Sequence, residues 1–147
     1  MRTLLKEKNA KTFILFVFFS TFTLESYACE CLKTKSNSSI ENYFNQAKLV
    51  FEGKPLETSF DTEKKLRQTK IKTSRWWKGA DKKYVTVHRL PGKQCDLFLK
   101  KEQTYLIFAL WDKKNEVFRV STCGYSKKSY DAQLEFNLLK KITSKKK

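Results

Sequence analysis

The chain has a single histidine, His88, and that scarcity removes most acid–base machinery at once. A Ser-His-Asp or Cys-His arrangement would have to use this residue, whose place in an alternating stretch suits a surface or rim position better than a general base. No G-x-G-x-x-G and no P-loop occurs, so the glycine-rich loops that cradle nucleotide phosphates are missing. Cysteines number only four, and none lies in the paired C-x-x-C or H-x-x-x-H clusters of a structural zinc site. No enzyme is expected, and no cofactor or metal ion of the protein's own. Internal repeats and linkers are lacking too, and low complexity is confined to the lysines at 145–147.

What is present begins with a leader. Arg2, Lys6, Lys8 and Lys11 precede an apolar core from Thr12 to Leu24, and Ser26-Tyr27-Ala28 closes it in a small-x-small pattern. This order predicts a signal peptide over residues 1–28, cut between Ala28 and Cys29, because the apolar run is short for roughly 30 Å of hydrocarbon. The competing readings are a retained membrane anchor and a lipoprotein acylated at Cys29, although Ser26 and Tyr27 match the usual Leu-small-small run poorly. The expected product is secreted or periplasmic, without an integral membrane span.

Residues 29–147 are sized for one domain, expected as a monomer, with residues 143–147 as a disordered tail. The net charge of +16 becomes +14 once four basic and two acidic residues leave with the leader. Such a surface is drawn to polyanions such as glycans, nucleic acid or anionic lipid, unless its lysines merely solvate strand faces and tails. An even cysteine count in an exported chain argues for two disulfides among Cys29, Cys31, Cys95 and Cys123. Three pairings are possible, and the one that joins Cys29 to Cys31 would close a strained, very tight ring.

Ser38-Ser39-Ile40-Glu41 reads as an S-x-x-E capping box, which opens a helix of about ten residues with Ile40, Tyr43, Phe44 and Ala47 on one face. Five strands are then expected: Lys48 to Leu56 with a bend or bulge at Gly53, Leu66 to Trp77, Tyr84 to Leu90, Thr104 to Trp111 and Glu116 to Thr122. Thr58 to Lys65 looks like a hairpin tip, Pro91-Gly92 is a turn, and the apolar Thr104–Trp111 run should be the buried central strand. The last helix, Ser129 to Ile142, places Leu134, Leu138 and Ile142 at helical spacing, with Phe136 and Leu139 beside them. The expected fold is therefore all-β dominated, a disulfide-stapled five-stranded barrel of the OB type with a helix at each end, since a sandwich usually needs about seven strands.

The mature terminus would be distinctive. A free α-amine on Cys29, titrating near 8, can close a five-membered chelate ring on a zinc ion together with its own carbonyl. A protease's catalytic zinc keeps one position for water, and that pair could displace it.

C-x-C at the mature start, Phe44-Asn45-Gln46-Ala47, Leu49-Val50-Phe51-Glu52-Gly53, Trp77-Lys78-Gly79, a cysteine before Tyr105-Leu106-Ile107-Phe108-Ala109, and Ser121-Thr122-Cys123 together resemble one known family. It is the inhibitory N-terminal domain of the tissue inhibitors of metalloproteinases, especially their bacterial-type single-domain homologues, within the netrin-like OB-fold superfamily. The likeness covers nearly all of residues 29–147. It implies disulfides from Cys29 to Cys95 and from Cys31 to Cys123, each contributing roughly 4 to 5 kcal/mol in the chain-entropy model. It implies zinc chelation in a target metalloprotease by the Cys29 amine and carbonyl, with Glu30 in the S1′ pocket. Cys31, Leu32, Lys93 and Gln94 complete the implied contacts. Animal inhibitors usually carry Thr or Ser at the position of Glu30, and a carboxylate loses solvation in an apolar pocket. Their third disulfide and C-terminal domain have no counterpart here.

The runner-up is a non-inhibitory netrin-like module that binds anionic glycans or surface partners, suited by Arg75, Lys78, Lys82 and Lys83 around the Trp76-Trp77 turn. Specific nucleic-acid binding is disfavoured by export and cystines. The Trp76-Trp77 pair fits barrel packing or a ligand platform equally well.

Overall fold

A computed structural model of the protein describes residues 39–89, 96–121 and 124–145. The expected leader, the C-E-C stretch, the expected turn at Pro91-Gly92, all four cysteines and with them the expected disulfides lie outside the described residues. The elements run α1 (Ile40–Gln46), β1 (Leu49–Asp61), β2 (Leu66–Lys78), β3 (Tyr84–Arg89), β4 (Tyr105–Asp112), β5 (Val117–Arg119), β6 (Lys127–Lys128) and α2 (Gln133–Ser144). The chain is mostly β. Five strands form a ring in the order β1-β2-β3-β5-β4 and back to β1, and β6 adds to the outer edge of β4. The ring is not a clean barrel: its β3–β5 seam is one parallel pair, His88 with Arg119.

The apolar run of β4 is explained by burial on both faces. Tyr105, Ile107 and Ala109 point into the ring with Phe51, Ile71, Val85 and Val87. Leu106 and Phe108 point outward, beneath Ile40, Phe44, Phe136, Leu139 and Ile142 of the two helices. A strand covered on both sides has no polar face to alternate with. β3 is covered on one side only, so Val85 and Val87 are buried while Tyr84 and Thr86 are exposed.

α1 begins one residue later than the capping box suggested. Its N-cap is Ser39, whose side chain accepts from the Asn42 amide at 3.4 Å, and Glu41 sits exposed in the first turn. This frame puts Ile40, Phe44 and Ala47 at i, i+4 and i+7 against the ring. The helix is seven residues, shorter than expected, because Ala47 turns to extended backbone and the Lys48 amide donates to the β4 carbonyl of Ala109 at 2.9 Å.

β1 is longer than its sequence pattern, continuing through a stretch read as hairpin tip. Cross-strand side-chain bonds hold this polar extension, Thr58 to Thr69 at 3.1 Å and Gln68 to Ser59 at 3.2 Å. Asp61 then accepts from the amides of Glu63 and Lys64, and Lys65 takes φ 53°. The β4–β5 turn repeats the device: Asp112 accepts from the amides of Lys114 and Asn115, and Glu116 takes φ 53°. At Gly53 the register shifts, as the bend there anticipated, and an added Cβ would lie 2.7 Å from Ile71 Cγ2 and 2.8 Å from the Lys72 carbonyl oxygen.

Two departures concern the C-terminal region. β6 has no pattern of its own; it forms because buried Ser126 accepts from the Phe108 amide at 2.8 Å and aligns the next two residues with β4. In α2 the buried stripe is Glu135, Phe136, Leu139 and Ile142, while Leu134 is 69% exposed. Phe136 sets this rotation by stacking on Trp77 at 5.4 Å. Glu135 tolerates burial through Lys127 Nζ at 2.6 Å. α2 also takes in Thr143 and Ser144, two residues assigned to the tail from sequence.

Candidate functional site

The implied inhibitory residues Cys29, Glu30, Cys31, Leu32, Lys93, Gln94 and Cys95, together with Cys123, lie outside the described residues, but their neighbours do not. Asp96, next to Cys95, forms an antiparallel bridge with Ser121, two residues before Cys123, and the Leu97 amide donates to the Val120 carbonyl at 2.9 Å. On the other flank, Tyr43 of α1 packs edge-on against Tyr125 at 5.2 Å, and a Cβ on Gly124 would lie 3.3 Å from the Tyr43 ring. The approaches to two cysteines and to the N-terminal helix are thus neighbours along one side of the ring.

An ionic group locks this region. The Asp96 carboxylate, 1% exposed, accepts from Arg119 Nη2 at 2.7 Å, and Arg119 Nη1 lies 3.7 Å from Asp112. The Asn115 side-chain amide holds the Asp112 carboxyl below the usual carboxylate range, aided by two backbone amides and by Arg119 against the cost of desolvation. Asp96 and Arg119 are therefore committed to each other, and this is architecture rather than a substrate site.

His88 stands beside this group, paired with Arg119 across the β3–β5 seam. Its Nε2 is 3.7 Å from Asp61, its Nδ1 is buried with no partner among the described residues, and burial pushes its pKa down despite the pull of Asp61. The adjacent cavity, lined by Thr58, Arg67, Thr69, Arg89, Leu97 and Phe98, measures about 30 Å³. That volume holds a water or two, far below a drug-sized ligand site. No group of three metal-ligating side chains occurs among the described residues.

Of the basic residues singled out from sequence, Lys78 is not surface charge. Its Nζ donates to the Phe44 and Asn45 carbonyls at 2.6 and 2.9 Å, capping the C-terminus of α1. Gly79 follows at φ 99°, where a Cβ would meet Leu49 Cδ2 at 2.5 Å. The W-K-G motif is thereby explained as packing, helix cap and turn. Trp76 and Trp77 both pack, Trp76 on Phe51 inside the ring and Trp77 under α2, which decides against a stacking platform. Arg75 is tied to Glu52 at 3.9 Å and lies over the Trp77 ring, whereas Lys82 and Lys83 stay exposed.

One cluster escaped the sequence reading: Lys54, Lys70, Lys72 and Tyr84 come from three strands and meet on one exposed sheet face. The alternation Lys70-x-Lys72 was visible, but only the register brings in Lys54 and Tyr84.

No helix among the described residues is long and apolar enough to cross a membrane. No family model matches the chain, and no curated protein matches it.

Proposed function

We propose that the protein is an exported inhibitor of zinc metalloproteases, acting through the α-amine and carbonyl of Cys29 after removal of residues 1–28. The observation that carries this reading is the Asp96–Ser121 bridge, which joins the immediate neighbourhoods of Cys95 and Cys123. Disulfides from Cys29 to Cys95 and from Cys31 to Cys123 would tether the terminus there and reduce the conformational entropy lost on binding. The ring supports the accompanying fold reading, a five-stranded, partly open OB-type barrel, through its strand order and one-pair seam.

In this mechanism the amine and carbonyl occupy the protease zinc and displace the water that hydrolysis needs. Glu30 enters the S1′ pocket, so proteases with a polar or basic pocket are the favoured targets. The test compares protein beginning at Cys29 with protein carrying one extra alanine before it, in fluorogenic assays against a panel of zinc endopeptidases. Inhibition by the first and its loss in the second, with equal melting temperatures, is the expected result. Equal potency of the two forms, or no inhibition across the panel by protein with a free Cys29 amine, overturns the reading.

A further inference from the structure

A second site follows from the strand register and does not depend on Cys29. Inward positions of a closed sheet are expected to be apolar, and Phe51, Ile71, Val85 and Val87 obey. Further along the same side of the strands the pattern breaks. Thr69 of β2 stands opposite Val87 of β3, and one step beyond them Arg67 stands directly opposite Arg89. β1 adds Thr58 opposite Thr69 and Phe60 opposite Arg67. The ring thus ends in a mouth with two facing arginines on its rim and two threonines one row deeper.

Like charges in facing strand positions repel, and here nothing offsets them. Neither Arg67 nor Arg89 makes an ion pair among the described residues. The carboxylate next along the chain, Asp61, is engaged by His88 and by the amides of Glu63 and Lys64. Arg89 lies over the exposed Phe98 ring at 5.7 Å, a stack that steadies its guanidinium. The Thr58 and Thr69 hydroxyls share one hydrogen bond at 3.1 Å, so one of their two protons is left for another acceptor. The cavity of about 30 Å³ that the arginines and threonines help to line continues onto Val87, Leu97, Leu99 and Val120, all but Leu97 buried. Its volume suits about two methyl-sized groups.

We propose that this mouth binds a small branched aliphatic carboxylate, its carboxylate held by Arg67 and Arg89 and its alkyl end in the cavity. Guanidinium forks match the planar carboxylate bidentately, and the spare threonine proton supplies a further donor. An inorganic oxyanion would leave the apolar lining unused, and an aromatic acid exceeds the space. Two sources present this chemistry: a free short-chain acid, and a peptide whose last residue is valine.

The probes are isovalerate, which is valine without its amine, and N-acetylglycylvaline, with the C-terminal amide of that peptide as control. Each is titrated at constant ionic strength into isotope-labelled protein isolated from an exporting host and followed by NMR. Saturable shifts are expected at the Val87 and Val120 amides and at the side-chain N–H groups of both arginines. Arg67→Gln and Arg89→Gln should each weaken binding about tenfold or more, without lowering the melting temperature, since each also removes the repulsion. Lys140→Gln, on the exposed side of α2, should change affinity less than about twofold. Acetate, which lacks the alkyl end, should bind about tenfold more weakly than isovalerate. Tighter binding of the peptide than of isovalerate, lost in the amide, supports the site and assigns its ligand to a chain terminus; the reverse order supports it with a free acid. Equal losses at Arg67 and Lys140 overturn the site, as does the absence of saturable shifts with both probes. Acetate or sulfate binding as tightly as isovalerate overturns the ligand class.

Discussion

On the outer face of β1, Val50 is sealed beneath the two helices, whereas Lys54, four residues along the same strand, stands in solvent opposite Lys72. Both are outward positions of one ring, and the difference lies in what covers them. Over Val50, Leu106 and Phe108 the helices supply Ile40, Phe44, Phe136, Leu139 and Ile142. Seven-residue α1 would not hold in isolation, so helix and strand face stabilise each other. Beyond Gly53 there is no such cover, and Lys54, Glu57, Thr58 and Ser59 stand exposed together with the apolar Leu56 and Phe60. A strand's outer face thus takes its chemistry from its neighbour, and the boundary between the faces is where function can be added without loss of fold.

The largest expected effect breaks the covered face. Phe136→Ala removes the ring stacked on Trp77 and opens the space between α2 and β4, at a cost of about 3 to 5 kcal/mol. Urea denaturation followed by tryptophan fluorescence measures it. A loss below about 1 kcal/mol would mean that α2 is an ornament on a ring stable alone.

Lys78→Ala tests the boundary. It strips the C-terminal carbonyls of α1 of two charge-assisted bonds and should cost about 1 to 3 kcal/mol, the usual worth of bonds to a charged donor. Lys78→Met, which keeps the aliphatic stem, separates the cap from packing: a cap predicts similar losses in both variants, whereas packing predicts recovery in Met.

The comparison also explains what could be read without coordinates. β2 and β4 were legible within a residue or so because their alternating or apolar runs are long. β1 was cut short because Thr58, Ser59 and Asp61 look like turn residues, and only the facing Thr69 and Gln68 make them a strand. β6 was invisible because its cause is the Ser126 hydroxyl at the Phe108 amide. The stripe of α2 was misphased because Leu134 and Phe136 both fit helical spacing, and the choice is made by Trp77, nearly sixty residues away. The lysine face was hidden for the same reason, since like-charge opposition is a property of register and no single segment contains it.

The smallest effect concerns the ring end, where His88 is sheltered like the covered face yet made of polar groups like the bare one. Burial lowers its pKa below the ordinary value of about 6.5, opposed by Asp61 and reinforced by Lys64. In the unfolded chain His88 takes up a proton near that ordinary value, while in the fold it resists until lower pH. The unfolded state therefore binds more protons between the two values, and linkage makes folding stability fall as pH drops below about 6.5, levelling off once the folded form is also protonated. Asp61 and Asp112, both held low, add a separate loss as pH falls below the ordinary carboxylate range. Because the chain has one histidine, the upper step has a single side-chain owner. Thermal melts of the protein from pH 7.5 to 3 should show the decline, and His88→Gln should flatten its upper part, above pH 5, while leaving the acid loss below it in place. A decline that survives His88→Gln would show that the ring end is open to water like the lysine face, with the histidine already solvated.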